Sequence, residues 1–384
     1  MPLARLRFIR NSIIGVLIVW ILAVSAGGAI LLVSMEGRTA VMTLLMLPAI
    51  RPDGGGYPLE RITQPPLTDR ITFSYLGGQG SATLVRPNDA SRHGAVIVYT
   101  GIAETDEIRR LSIALGRAGV VVLLPEAAQP AQGVSYQNVE LLVGAYRYLA
   151  QTLYVDPKRV GFAGFGIGSS MALIAAADPR ISEEVPFVSF FDGYFSAQSL
   201  ISAMTTHLIP AGESFGRWEP DKEAFRQLSQ ELLFGVTEAD RRVLTQTTQG
   251  NGPDIVSSAP PDLTTLSPHG RVIYELLANR DPARVPELYE ALPFATQARL
   301  NRLSPSTSLE WLKARMLVAY DRNNVFIPYT ESLQLLDALA EYPRKRSTEL
   351  TLSHQDAGLL SRSDGIQEVA KLFSHLYMVM LEVD

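Results

Sequence analysis

From Arg70 onward the chain alternates short apolar runs with stretches of helical spacing. Ile71, Phe73 and Tyr75 alternate with polar neighbours as a first strand, and Ser81 to Val85 forms a second after the Gly77-Gly78 turn. Ala95 to Tyr99, Val120 to Leu124, Val160 to Phe165 and Phe187 to Phe191 are continuous apolar runs. Between them lie amphipathic segments carrying Ile108, Leu111 and Leu115, then Val139 to Leu153, then Ser169 to Ala177. Strands apolar on both faces and separated by helices predict a parallel sheet covered on each side. The two leading strands, joined by a tight turn, predict an antiparallel start.

The rhythm breaks between Ser196 and Asn301, a polar and helical stretch with turns at Gly250-Asn251-Gly252 and Pro260-Pro261. It resumes with strand Met316 to Tyr320, helix Thr330 to Leu339, strand Glu349 to Leu352 and a last amphipathic helix, Ile366 to Leu381. The expected architecture is one α/β sheet domain in two parts, residues 70–195 and 302–384, with a helical cap inserted over 196–301. Trp218, Phe225, Phe234, Leu276 and Leu277 are expected to form the cap's own core, with pocket lining as the alternative. No internal repeat or low-complexity tract is present.

Ahead of this domain, Asn11 to Met35 is uncharged and long enough to cross a bilayer as a helix. Arg5, Arg7 and Arg10 precede it, so residues 1–10 are expected in the cytoplasm and the rest outside. The small residues Val24-Ser25-Ala26 would suit a cleaved signal peptide. The apolar run continues to Val33, however, beyond the usual hydrophobic region of roughly 7–15 residues, and favours an uncleaved anchor. Residues 36–69 are expected as a linker. Within them the apolar stretch Thr39 to Ile50 is too short to return through the membrane, and either an interfacial helix or packing on the soluble domain would account for it.

Composition narrows the chemistry. Of 384 residues 47% are hydrophobic and 19% charged, which suits a globular core plus a membrane segment. A net charge of −5 without a basic block gives nucleic-acid binding no support. The absence of cysteine excludes disulfides and thiolate chemistry. The five histidines, His93, His207, His269, His354 and His375, show no metal-ligand spacing, and nothing calls for a metal or other cofactor.

The sharpest local feature is the run from Arg159 to Ser170, where a strand enters a glycine-rich turn that opens into an Ala-rich helix. A nucleophile elbow, G-x-S-x-G, has this form, with small flanking residues where strand and helix approach closely. Gly164 and Gly168 occupy the flanks. The centre, where serine belongs, is Gly166.

Residues from about 70 to 384, the insertion excepted, resemble the dienelactone-hydrolase-like branch of the α/β-hydrolase superfamily. The resemblance rests on Val155-Asp-Pro-Lys-Arg-Val-Gly161 before the elbow, Phe190-Phe-Asp-Gly-Tyr194, Leu303-Ser-Pro305 and Asp321-Arg-Asn-Asn-Val-Phe-Ile-Pro328. It implies a Ser-His-Asp site in which Gly166 stands at the nucleophile, Asn324 at the acid and His354 at the base. A triad needs a nucleophile, a base and a carboxylate that stabilises the charged base. Here the acyl-enzyme route is closed at Gly166, and Asn324 can accept from imidazole but cannot stabilise imidazolium. The N–H groups of Ile167 and Ile102 remain as an anion-binding pair.

Three rivals stand beside this reading. Ser169 or Ser170 would supply a non-standard nucleophile, although small close-packed residues are their default role. Asp192, ending the strand after the elbow helix, would serve His354 as an alternative acid, with or without an attacking water. Gly164 to Gly168 also approximates a dinucleotide-binding loop with Asp192 as the ribose acid, but such a loop normally opens its domain. The leading expectation is a membrane-anchored, catalytically impaired pseudo-hydrolase that binds a small acyl or anionic ligand. An active hydrolase with a rearranged catalytic set is the alternative.

Overall fold

A computed structural model describes residues 34–50, 58–101, 105–127, 135–249, 262–352 and 365–384. Its centre is a sheet of eight strands: β1 (Leu67–Tyr75), β2 (Gly78–Arg86), β3 (His93–Tyr99), β4 (Val121–Pro125), β5 (Val155–Phe165), β6 (Phe187–Phe191), β9 (Arg315–Asp321) and β10 (Lys345–Leu350). In space they run β1-β2-β4-β3-β5-β6-β9-β10. β1 pairs antiparallel with β2, and β2 antiparallel with β4, whereas every pairing from β4 to β10 is parallel. The antiparallel start and the buried parallel strands thus match the hydrophobic pattern.

Each face of the sheet carries its own core. Tyr99, Phe162 and Phe190 pack on one face with helices α4 (Tyr136–Ala150) and α5 (Ile167–Ala176). Val96, Phe187 and Leu317 pack on the other with α3 (Asp106–Arg117) and α13 (Ile366–Val383). α3 shows why such helices form where they do. The Thr105 hydroxyl accepts from Ile108 N, and Asp106 and Glu107 lie in the first turn, where negative charge complements the helix dipole. Ile108, Leu111 and Leu115 share the buried face, and Gly119 at φ 96° ends the run.

Two expectations change. The last strand is Lys345–Leu350, several residues earlier than the apolar run at 349–352 suggests, because it is an edge strand with mostly exposed side chains. In the insertion, Leu208–Ala211 (β7) and Ser214–Arg217 (β8) form an antiparallel hairpin turning at Gly212, φ 65°. Its other described elements are helices, including α6 (Ala197–Thr206), α7 (Lys222–Leu232), α9 (Pro268–Ala278) and α11 (Phe294–Arg302). Phe225, Leu276 and Leu277 are fully buried and continuous with the sheet's own core, as is Trp218. Phe234 does not join them: it is 51% exposed, with the Arg299 guanidinium 4.6 Å over its ring.

The membrane segment expected at 11–35 lies almost wholly outside the described residues. Among the described residues no helix is long and apolar enough to cross a membrane. Immediately after that segment, α1 (Met35–Met46) is capped by the Ser34 hydroxyl and continues into a 3-10 turn at Leu47–Ile50. Met46, Ala49 and Ile50 are buried in the α3/α13 core. The Thr39 hydroxyl donates to the Asp384 carboxylate, and Arg110 Nε donates to Ala49 O at 3.1 Å. The apolar stretch at 39–50 therefore packs on the domain, and that part of the expected linker is a docked helix.

Candidate functional site at the strand-to-helix turn

β5 ends in the turn that the sequence marks. Gly166 adopts φ 55°, ψ −130°, a conformation that side-chain-bearing residues rarely hold. Its N–H donates to Phe191 O at 2.9 Å, and its carbonyl accepts from Ser169 N at 3.0 Å. The flanking glycines are sterically required. A Cβ at Gly164 would run into the Ser169 backbone, and one at Gly168 into the Tyr99 and Thr100 carbonyl groups. At Gly166 a Cβ would meet nothing within 4 Å. The turn therefore has the build of an elbow whose central position opens into free space.

The two nearby serines face inward. Ser169 Oγ donates to Phe191 O at 2.7 Å and accepts from Phe191 N at 2.9 Å. Ser170 Oγ donates to Tyr194 O at 2.6 Å. Both are fully buried, so each hydroxyl stitches the elbow helix to the exit of β6 and neither reaches the open side of the turn. The Ile167 N–H belongs to the first turn of α5, where a helix leaves donors without intrahelical acceptors. Gly101, at φ 78°, comes close to this turn: a Cβ there would lie 3.0 Å from Gly168 N. Ile102 and His354 both lie outside the described residues.

Asp192 and Asn324 are placed clearly, and each accepts from backbone N–H groups. Asp192, at φ 53°, ends β6 beside the elbow, and its Oδ1 accepts from Asp321 N at 2.7 Å. One oxygen of this carboxylate thus holds the end of β9. At the acid position, Asn324 would have to offer its side-chain oxygen to imidazole. That oxygen instead accepts from Phe326 N at 2.7 Å and Ile327 N at 3.0 Å, closing a turn within its own loop. The insertion holds the same loop from above: Trp218 Nε1 donates to Asn324 O at 2.9 Å, and Asp221 N to Val325 O at 2.8 Å.

Two further acids are buried near the site: Asp321, whose place off the acid's register suits a loop support, and Glu331, which escapes a reading of the sequence. Asp321 is fully buried, and its Oδ1 accepts from Asn323 N at 3.1 Å and Leu352 N at 2.9 Å. Together with Asn323 Nδ2, which donates to Leu352 O at 2.8 Å, it fixes the chain two residues before His354. Glu331, in α12 (Tyr329–Ala338), accepts from Phe195 N at 2.8 Å and Ser196 N at 3.1 Å. Burial raises its pKa above the ordinary carboxylate value, against hydrogen bonds that lower it. Its signal in the sequence is positional: Glu331 stands four residues before the buried Leu335, so it lies on the core face of its helix. His375, another titratable group deep in the core, bonds through Nε2 to Ser189 Oγ at 2.9 Å on the face packed by α13. Burial depresses its pKa to about 4.

The strand order, the β6-to-β9 insertion and the glycine turn together define an α/β-hydrolase fold. No family model matches the chain. Among curated proteins, a probable 2-oxo-3-(5-oxofuran-2-ylidene)propanoate lactonase from Bradyrhizobium sp. is 30% identical over 141 residues. That alignment covers 32% of this chain and 57% of the relative, so the match spans little more than half of the lactonase. Among solved structures, a hyperthermophilic esterase from Pyrobaculum calidifontis is 14% identical at TM-score 0.47, over 89% of this chain and 88% of that one. An acylaminoacyl peptidase from Pyrococcus horikoshii is 10% identical at TM-score 0.48, over 84% of this chain and 42% of that one.

Proposed function

We propose that this protein is a membrane-tethered pseudo-hydrolase of the dienelactone-hydrolase-like type, which binds a small acyl or anionic ligand at the elbow without acyl-enzyme chemistry. The observation that carries the reading is Gly166 itself. The turn keeps the conformation and the close packing of an elbow, yet it presents no nucleophilic atom, and both adjacent serines are committed to backbone bonds. The donors do not depend on a serine side chain, so Ile167 N–H, with Ile102 as its intended partner, still suits a carbonyl or carboxylate oxygen. The anchor reading rests on the uncharged run 11–35 behind three arginines, with α1 docked directly after it.

The test is activity profiling of the full-length protein with a fluorophosphonate probe and short-chain p-nitrophenyl esters. Neither labelling nor turnover is expected from the wild type. Gly166→Ser combined with Asn324→Asp is expected to gain labelling, because position 166 has room and a carboxylate at 324 can keep both backbone bonds. Serine labelling of the wild type would overturn the reading. The anchor is tested by membrane fractionation: the full chain should sediment with membranes and the fragment 34–384 should not.

A second reading has its own support. The partial relative is a probable lactonase, and hydrolysis of a carboxylated lactone by water, with His354 as base and Asp192 as acid, needs no serine. Lactone turnover lost on His354→Ala would favour it over the binding role. Saturable protection from thermal unfolding by a furanone carboxylate, without turnover, would favour binding.

A further inference from the structure

Where the insertion meets the sheet there is a cavity of about 250 Å³, and neither Gly166, Ile167 nor Asn324 lines it. It is slightly smaller than the roughly 300–1,000 Å³ of pockets for drug-sized ligands. Among the described residues Glu331 is the one charged residue in its wall, and no lysine, arginine or histidine stands opposite. The titration of Glu331 is set by burial and hydrogen bonds, with no charged neighbour contributing among the described residues. Phe195 N and Ser196 N donate to one oxygen of the carboxyl group, while the Ser199 hydroxyl in the same wall donates to Ser196 O at 3.1 Å. A carboxylate has about four acceptor positions, so capacity for a further donor remains. Gln334 adds a polar edge, while Leu208, Phe215 and Val285 form an apolar wall.

A buried carboxylate without a counter-ion is unfavourable, and a cation that enters the cavity would relieve that cost. We propose that this cavity binds a small organic ammonium ion, a primary amine on a short hydrocarbon chain. Its NH₃⁺ sits on Glu331 and its chain lies against Leu208 and Val285. An ammonium group brings three donors, which suits a carboxylate flanked by hydroxyl and amide oxygens. Anions are disfavoured by the like charge of Glu331. The site also touches the elbow's support, because Phe195 and Ser196 directly follow Tyr194, whose carbonyl accepts from Ser170.

The experiment is calorimetric titration of n-butylammonium chloride into the full-length protein in detergent, with n-butanol and sodium butyrate as matched neutral and anionic probes. Saturable one-site binding of the amine is expected, at least tenfold weaker for n-butanol and undetectable for butyrate. Glu331→Gln, which keeps an acceptor for the backbone bonds, should weaken amine binding at least tenfold. If that variant does not unfold cooperatively, Ser202→Leu, which fills the cavity and leaves Glu331 in place, should abolish binding. No saturable binding to the wild type, equal affinity in the variants, or butyrate binding as tightly as the amine would overturn the proposal.

Discussion

The carboxylate of Asp321 accepts the backbone N–H of Leu352 at 2.9 Å, joining the end of β9 to the end of β10. The same oxygen accepts from Asn323 N, and Asp192 Oδ1 accepts from Asp321 N, so two acids brace three strand ends where the expected base enters. Removing this brace leaves buried N–H groups without acceptors. Asp321→Ala is expected to lower stability by about 2–4 kcal/mol, measured by urea unfolding. A change below about 1 kcal/mol would mean that the amides find other partners.

The three glycines of the elbow should separate by mechanism. Gly164→Ala and Gly168→Ala force a methyl group into backbone atoms and are expected to cost more than about 3 kcal/mol each. Gly166→Ala meets open space and carries only the strain of positive φ, about 1–3 kcal/mol. Thermal unfolding of the three variants checks the order. Gly166→Ala as the least stable of them would contradict the open site.

His375 makes stability depend on pH. Its folded pKa lies near 4, below the ordinary 6.5, so between these values the unfolded chain binds a proton that the folded chain does not. Stability therefore falls as pH drops from about 6.5 towards 4, by on the order of 3 kcal/mol. His375→Gln retains a partner for Ser189 and does not titrate. The stability difference between wild type and variant should shift by that amount across the window, and parallel curves would rule the effect out.

The helix that follows the expected membrane segment is part of the domain. A fragment starting at residue 34 should unfold cooperatively. One starting at residue 52 loses buried Met46 and Ile50 and should be less stable by about 3–6 kcal/mol. Equal denaturation midpoints for the two fragments would show that α1 adds nothing.

The sequence by itself determined the strands buried on both faces, the antiparallel start and the glycine-rich turn from strand to helix at Gly164 to Gly168. Continuous apolar runs and the small residues at Gly164 and Gly168 are local consequences of close packing, so they can be read one segment at a time. β10 lies earlier than its apolar signal because an edge strand with exposed side chains leaves little such signal. The roles of the polar residues were decided only by tertiary structure. Ser169 and Asn324 have the right chemistry for a site, but hydrogen bonds to backbone from distant or looping segments have claimed them, and Asp192 gives one oxygen to the end of β9. A polar side chain's role depends on which donor or acceptor the fold brings within about 3 Å. For Glu331 that meant Phe195 and Ser196, more than a hundred residues earlier in the chain.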